Sequence, residues 1–152
     1  MRGRQALLIL TLAVLRSVSA HADTDTIGYV KTLAGTATVT PAGDSAARPA
    51  SIAMPIHEQD RVETAPNGQI GITFRDDTRI ALGPNSRLDL TRFVFRPAEK
   101  EYGFVLRLAY GTLQYLSGLT AKLAPDAMAI ETPGSTIAVR GTRLLIRAEN
   151  RP

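Results

Sequence analysis

From Ile27 onward the chain is written in short bursts of strand-type residues that alternate with glycine, proline, asparagine and aspartate. Ile70, Ile72 and Phe74 alternate with Gly71 and Thr73, so one face is apolar and the other small or polar. Similar bursts fall at Ile27 to Val30, Gly35 to Val39, Arg61 to Thr64, Thr78 to Leu82, Ser86 to Leu90, Phe93 to Phe95, Phe104 to Leu108 and Tyr110 to Tyr115. Three more follow at Ala127 to Ile130, Thr136 to Val139 and Arg143 to Ile146, punctuated by Thr132-Pro133-Gly134 and Arg140-Gly141-Thr142. None is long enough to bury a face alone, so they must pair or stack.

Turn chemistry links them. Ala65-Pro66-Asn67-Gly68 and Gly83-Pro84-Asn85 have proline and glycine placed for β-turns, and Asp76-Asp77 turns the chain between two strands. Arg96 to Gly103 predicts an exposed hairpin with charges at its tip. Ala42 to Met54, bounded by Pro49 and Pro55, predicts a surface excursion. Only Leu119 to Ala124 reads as helix, held to a turn or two by Pro125. Thr78 to Leu82 and Ser86 to Leu90 share one shape, polar-Arg-apolar-x-Leu, about eight residues apart as in successive rungs. The fold class is therefore all-β, either a short-stranded β-solenoid or a sandwich-like stack.

The first 22 residues have a different logic. Arg2 and Arg4 precede an apolar run from Ala6 to Leu15, too short to span a bilayer, and Ala20-His21-Ala22 is a small-x-small cleavage site. This predicts a signal peptide over residues 1–22 cut after Ala22, with Val18-Ser19-Ala20 as the alternative cut, and one domain over residues 23–152. The chain carries a net charge of +4, of which three charges are Arg2, Arg4 and Arg16, so the remainder is near +1 with acids and bases interspersed. That balance argues against a nucleic-acid partner.

Candidate chemistry is sparse. Cysteine is absent, which removes disulfides, thiolate catalysis and cysteine metal sites; tryptophan is absent too, leaving Tyr110 and Tyr115 as individual contact candidates. His57, Glu58 and Asp60 make a thin metal set, because zinc needs three or four ligands in fixed geometry and the other histidine, His21, lies in the leader. Asp76 and Asp77 are adjacent in a turn and point apart, which suits an Asx turn better than calcium or general acid-base chemistry. No serine sits in a nucleophile elbow, and Gly83-Pro84-Asn85 and Pro133-Gly134-Ser135 lack the lysine and spacing of a phosphate cradle. These residues predict neither an enzyme nor a bound cofactor.

Arg61-Val62-Glu63-Thr64, then Gly68, Phe74-x-Asp76, Thr78-x-x-x-Leu82, Ser86-x-Leu88-x-Leu90, Leu108-x-x-Gly111, Glu131-Thr132-Pro133 and Val139-Arg140-Gly141-Thr142 occur in an order that resembles a FecR domain over about residues 59–146. The resemblance implies a non-catalytic all-β module of the periplasm, of the kind found in regulators that pass a signal from an outer-membrane transporter to an anti-sigma segment across the inner membrane. Such regulators have a membrane span and a cytoplasmic part, and the mature chain has no candidate for either, so the resemblance carries over the module and its compartment. Its motif residues here are Asp76, Thr78, Gly83, Gly111, Thr132, Pro133, Arg140, Gly141 and Thr142. Asp77 stands where the family commonly has glycine, a turn position that demands positive φ. The chain ends at Pro152, soon after the Arg-Gly-Thr strand, which predicts an unpaired edge open to a partner strand or to oligomerisation.

The expected function is a periplasmic interaction and sensing module with an envelope protein as partner. The alternatives are secretion or outer-membrane association, a ligand- or carbohydrate-binding module with the Arg96 to Gly103 hairpin and the Ala42 to Pro55 excursion lining a pocket, and a fragment of a longer iron-uptake regulator. Arg140 is expected to tie neighbouring turns together, so that Arg140→Ala destabilises the domain. Gly141 is expected to supply a backbone conformation closed to other residues, and Thr142 a turn hydrogen bond.

Overall fold

The structure, a computed structural model, describes residues 25–141 and 143–149. The signal peptide, its cut at Ala22, and Thr142 lie outside the described residues. The rest is all-β, with twelve strands: β1 (Gly28–Ala34), β2 (Ala37–Thr40), β3 (Arg48–Pro49), β4 (Pro55–Ile56), β5 (Arg61–Thr64), β6 (Gln69–Phe74), β7 (Arg79–Leu82), β8 (Arg87–Arg96), β9 (Glu101–Leu116), β10 (Met128–Thr132), β11 (Ser135–Ala138) and β12 (Arg143–Ala148). One short helix, α1 (Leu119–Leu123), precedes Pro125 as its sequence requires.

The strands join in one curled sheet that folds into two leaves. The first leaf runs β4, β1, β6, β7, the C-terminal part of β9, then β12. The second runs β3, β2, β5, β8, the N-terminal part of β9, then β10 and β11. Four stretches of chain cross from leaf to leaf at the same level: β1 to β2 through Gly35 and Thr36, β5 to β6 through Ala65 to Gly68, β7 to β8 through Gly83 to Ser86, and β9 through Gly111. Together they make a crease.

Backbone bonds stitch the four corners side by side. Ala65 N–H reaches Thr36 carbonyl at 3.0 Å, Asn85 N–H reaches Ala65 carbonyl at 3.2 Å, and Gly83 N–H reaches Thr112 carbonyl at 3.0 Å. Thr64 and Ser86 add side-chain bonds: the Thr64 hydroxyl donates to Gly83 carbonyl at 2.6 Å and accepts the Ser86 N–H at 2.9 Å, while Ser86 Oγ accepts the Thr112 N–H at 2.9 Å. Backbone groups freed by the bend thereby regain partners, which is the condition for burying a corner. At Gly111 φ is 98° and the backbone lies directly on Ser86, so a side chain there is excluded twice over.

Proline-and-glycine turns therefore have two different outcomes. Asp76-Asp77 does reverse the chain, since β6 and β7 pair with each other. Ala65 to Gly68 and Gly83 to Asn85 bend the chain instead, and Thr78 to Leu82 and Ser86 to Leu90 lie end to end along β9 rather than stacked as rungs. The Arg96 to Gly103 hairpin forms as its sequence predicts, with Phe95 opposite Tyr102, Arg96 opposite Glu101, and Lys100 at φ 55° in the tip.

The core fills the space between the leaves. Val30, Ile56, Ile70, Ile72, Leu82 and Leu113 of the first leaf meet Val62, Leu88, Leu90, Leu106 and Ile130 of the second, all essentially inaccessible to solvent. Away from the crease, Phe74 packs on Phe104 with centroids 4.7 Å apart and Phe93 on Phe104 at 4.9 Å, both edge to face. The rings clasp the leaves at the end opposite the crease.

Gly111→Ala is expected to lower unfolding free energy by about 3 kcal/mol, combining positive φ with a clash on Ser86. Gly134→Ala, whose new methyl meets open space, should stay within about 0.5 kcal/mol of the parent in the same denaturant titration.

Candidate functional site

The motif residues divide into a buried knot, the crease and an exposed margin. In the knot, the Asp76 carboxylate accepts Thr78 N–H at 3.0 Å, Thr78 hydroxyl at 2.8 Å and Thr120 N–H at 3.3 Å, and the Asp76 carbonyl accepts Leu119 N–H at 2.6 Å. Thr78 Oγ1 in turn accepts Gly118 N–H at 3.2 Å. Asp76, Thr78 and Thr120 are all fully buried. One carboxylate thus fixes the β6–β7 turn and docks the start of α1 on it, with its charge held by donors rather than offered to a ligand. Asp77 adopts φ 63°, the positive-φ turn position anticipated for it.

Tyr115 belongs to this knot, and full burial removes it as a surface contact candidate. Its hydroxyl has no hydrogen-bond partner among the described residues, and burial pushes the phenol up to about 12, with Thr78 nearby opposing part of the rise. Tyr110 stays half-buried beside Glu63. Gly83 and Gly111 sit in the crease, where their work is conformational.

The acidic residues around His57 are also committed to the backbone. Asp60, buried, accepts His57 N–H at 2.8 Å and Ala42 N–H at 3.2 Å, and Glu58 accepts Phe93 N–H at 2.9 Å. Among the described residues no group of three or more metal-ligating side chains converges. The Ala42 to Pro55 excursion is likewise occupied: Ala50 N–H bonds Ala37 carbonyl and Ala53 N–H bonds Val30 carbonyl, both at 2.9 Å.

Thr132, Pro133, Arg140 and Gly141 lie on the exposed margin. Thr132, Pro133 and Gly134 form the β10–β11 turn, with Thr132 Oγ1 at 3.0 Å from Ser135 Oγ. That turn faces Arg147, Ala148 and Glu149 across a shallow cleft. Arg140 differs from expectation. It is 79% exposed and, among the described residues, its one ion pair is with Asp126, itself 91% exposed, at 3.5 Å, and a pair so open to water ties nothing together. Gly141 has open space where a side chain would go.

Sequence patterning did not single out the most accessible apolar side chain on this margin, Leu145, which is 73% exposed on β12. Along β12 Leu144, Ile146 and Ala148 turn inward and Arg143, Leu145 and Arg147 outward. Among the described residues one side of β12 pairs with β9 over six residues and no strand pairs with the other. The opposite margins are closed differently: β3 and β4 are two residues long and each carries a proline, Pro49 or Pro55. Short, proline-bearing strands blunt an edge; a six-residue strand with an outward leucine does not.

Asp76→Ala should cost about 3 kcal/mol by orphaning three buried donors, while Arg140→Ala should melt with the parent. Tyr115→Phe tests the phenol: the unfolded chain loses this proton near pH 10 and the folded chain near 12, so stability present below pH 10 falls as pH rises through that window. The Tyr115→Phe variant should lose less stability between pH 10 and pH 12, measured by denaturant titration at each pH.

No described helix is long and apolar enough to cross a membrane. No curated protein and no solved structure matches the chain. The model of the FecR protein family matches residues 60–152, which takes in three of the four crossings of the crease, the Asp76 knot and the β12 margin. The chain belongs to the FecR family.

Proposed function

We propose that this protein is a non-catalytic, exported interaction module of the cell envelope that binds a partner protein by strand addition to β12. The observation that carries the reading is the asymmetry of the sheet margins: among the described residues β3 and β4 are closed by proline, while β11 and β12 are open on one side, and of these two only the longer β12 turns a large exposed apolar side chain, Leu145, outward. An added strand gains main-chain hydrogen bonds from β12 and covers Leu145, and both gains come without any movement of the core. The commitment of Asp60 and Asp76 to backbone donors supports a non-catalytic role, because a general acid or base needs a carboxylate free to face substrate. The leader-like residues 1–22 support export to the periplasm, and membership of the FecR family supports a place in envelope signalling connected with iron uptake.

A photo-crosslinking residue placed at Leu145 in cells should capture an envelope protein, whereas the same residue at Ile52, an exposed apolar position on the excursion, should not. Equal capture from both positions, or capture from Ile52 alone, would remove β12 as the docking strip. A saturable rise in melting temperature with an envelope glycan or metal chelate would instead support the ligand-binding alternative.

A further inference from the structure

The outward row of β12 says more about the partner than that it is extended. Arg143 and Arg147 flank Leu145 on one face, all three exposed. Register places Arg79 in line with Leu116 and Arg143 across the first leaf, about 10 Å from Arg143 at two strand spacings. Arg79, Arg143, Ala81, Gln114 and Leu116 border a shallow groove on this outer face. Among the described residues Arg79, Arg143 and Arg147 take part in no ion pair, although six other arginine and histidine side chains do. The acids nearest in sequence are Asp77, beside Arg79 in a neighbouring cleft, and Glu149, two residues beyond Arg147. The strip therefore presents positive, apolar, positive along its length.

Cross-strand neighbours on one face of a sheet select one another: opposite charges and matched apolar pairs are favoured, and like charges directly opposite are penalised. We propose that the open edge of β12 receives an extended segment of another protein whose outward positions read acid-x-apolar-x-acid, the apolar residue covering Leu145 and the acids meeting Arg143 and Arg147. The pattern is the same read in either direction, so it serves a parallel or an antiparallel partner. Inward residues of such a segment continue the row of Leu144 and Ile146, which calls for small apolar side chains at the x positions. A second copy of β12 fits this strip poorly in the register centred on Leu145, where Arg143 of each copy opposes Arg147 of the other. The inference rests on the strand-addition reading of β12 above.

The test uses the purified full chain and two fluorescent peptides, Glu-Val-Leu-Val-Glu and Lys-Val-Leu-Val-Lys, each capped at both ends. The acidic peptide should bind saturably, weaken as salt is raised, and slow hydrogen exchange of the β12 amides. The doubly reversed variant Arg143→Glu, Arg147→Glu should bind the acidic peptide at least about tenfold more weakly and bind the basic peptide instead. Both positions are exposed and, among the described residues, in no ion pair, so unchanged melting of that variant separates lost recognition from lost folding. Equal binding of the two peptides, no inversion in the variant, or protection located away from β12 would overturn the acidic-segment proposal. So would a concentration-dependent dimer abolished by Leu145→Lys, which would make a second copy the occupant. If Leu145 crosslinks a partner in cells whose contacting segment is not acidic, the charge rule fails while strand addition at β12 stands. If Leu145 captures nothing and no peptide binds, both fail.

Discussion

The contact of Gly111 with Ser86 sets the shape of the molecule. Four stretches of chain must pass from one leaf to the other, and a sheet can fold only if they all bend at one level. Ser86 enforces that level by bonding on two sides, its N–H donating to the Thr64 hydroxyl and its own hydroxyl accepting the Thr112 N–H, while glycine at 111 lets β9 come close enough to be held. Once the crease is fixed, apolar faces that no single strand could shelter are turned toward each other, and a core free of disulfides becomes sufficient.

The Asp76 knot solves a second problem, at the turn between β6 and β7. A buried carboxylate is costly unless its oxygens are filled, and Thr78 together with the Thr120 N–H at the start of α1 fills them. The result is a rigid turn in which α1 is pinned to the first leaf, and a carboxylate withdrawn from chemistry. Asp60 follows the same rule near His57. Asp60 and Asp76, two of the acids that look most reactive in the chain, are thus spent on architecture.

Much of the secondary structure is legible because strands and turns are local. The Ile70, Ile72, Phe74 alternation, the charged hairpin tip at Arg96 to Gly103 and the brief helix before Pro125 all follow from a residue and its immediate neighbours, whereas the positive φ of Asp77 was legible only through the family resemblance. The site was less legible. Arg140 has the look of a structural guanidinium in its motif yet stands in solvent, because nothing in the chain beside it says which surface its loop will face. Leu145 is one apolar residue among several, and only the pairing of β12 with β9 turns it outward at a margin.

By itself the sequence determined where the chain must break, which residues are apolar, that cysteine chemistry is absent and that the stretch holding β5 to β12 follows one family pattern. Tertiary structure alone decided whether each break became a hairpin or a corner. Asp76-Asp77 reverses the chain because β6 and β7 pair with each other, while Gly83-Pro84-Asn85 only bends it because β7 and β8 both pair, one after the other, along the single long strand β9. Turn propensity is a property of four residues, but the angle between two strands is set by long-range pairing and by what the core between them can fill.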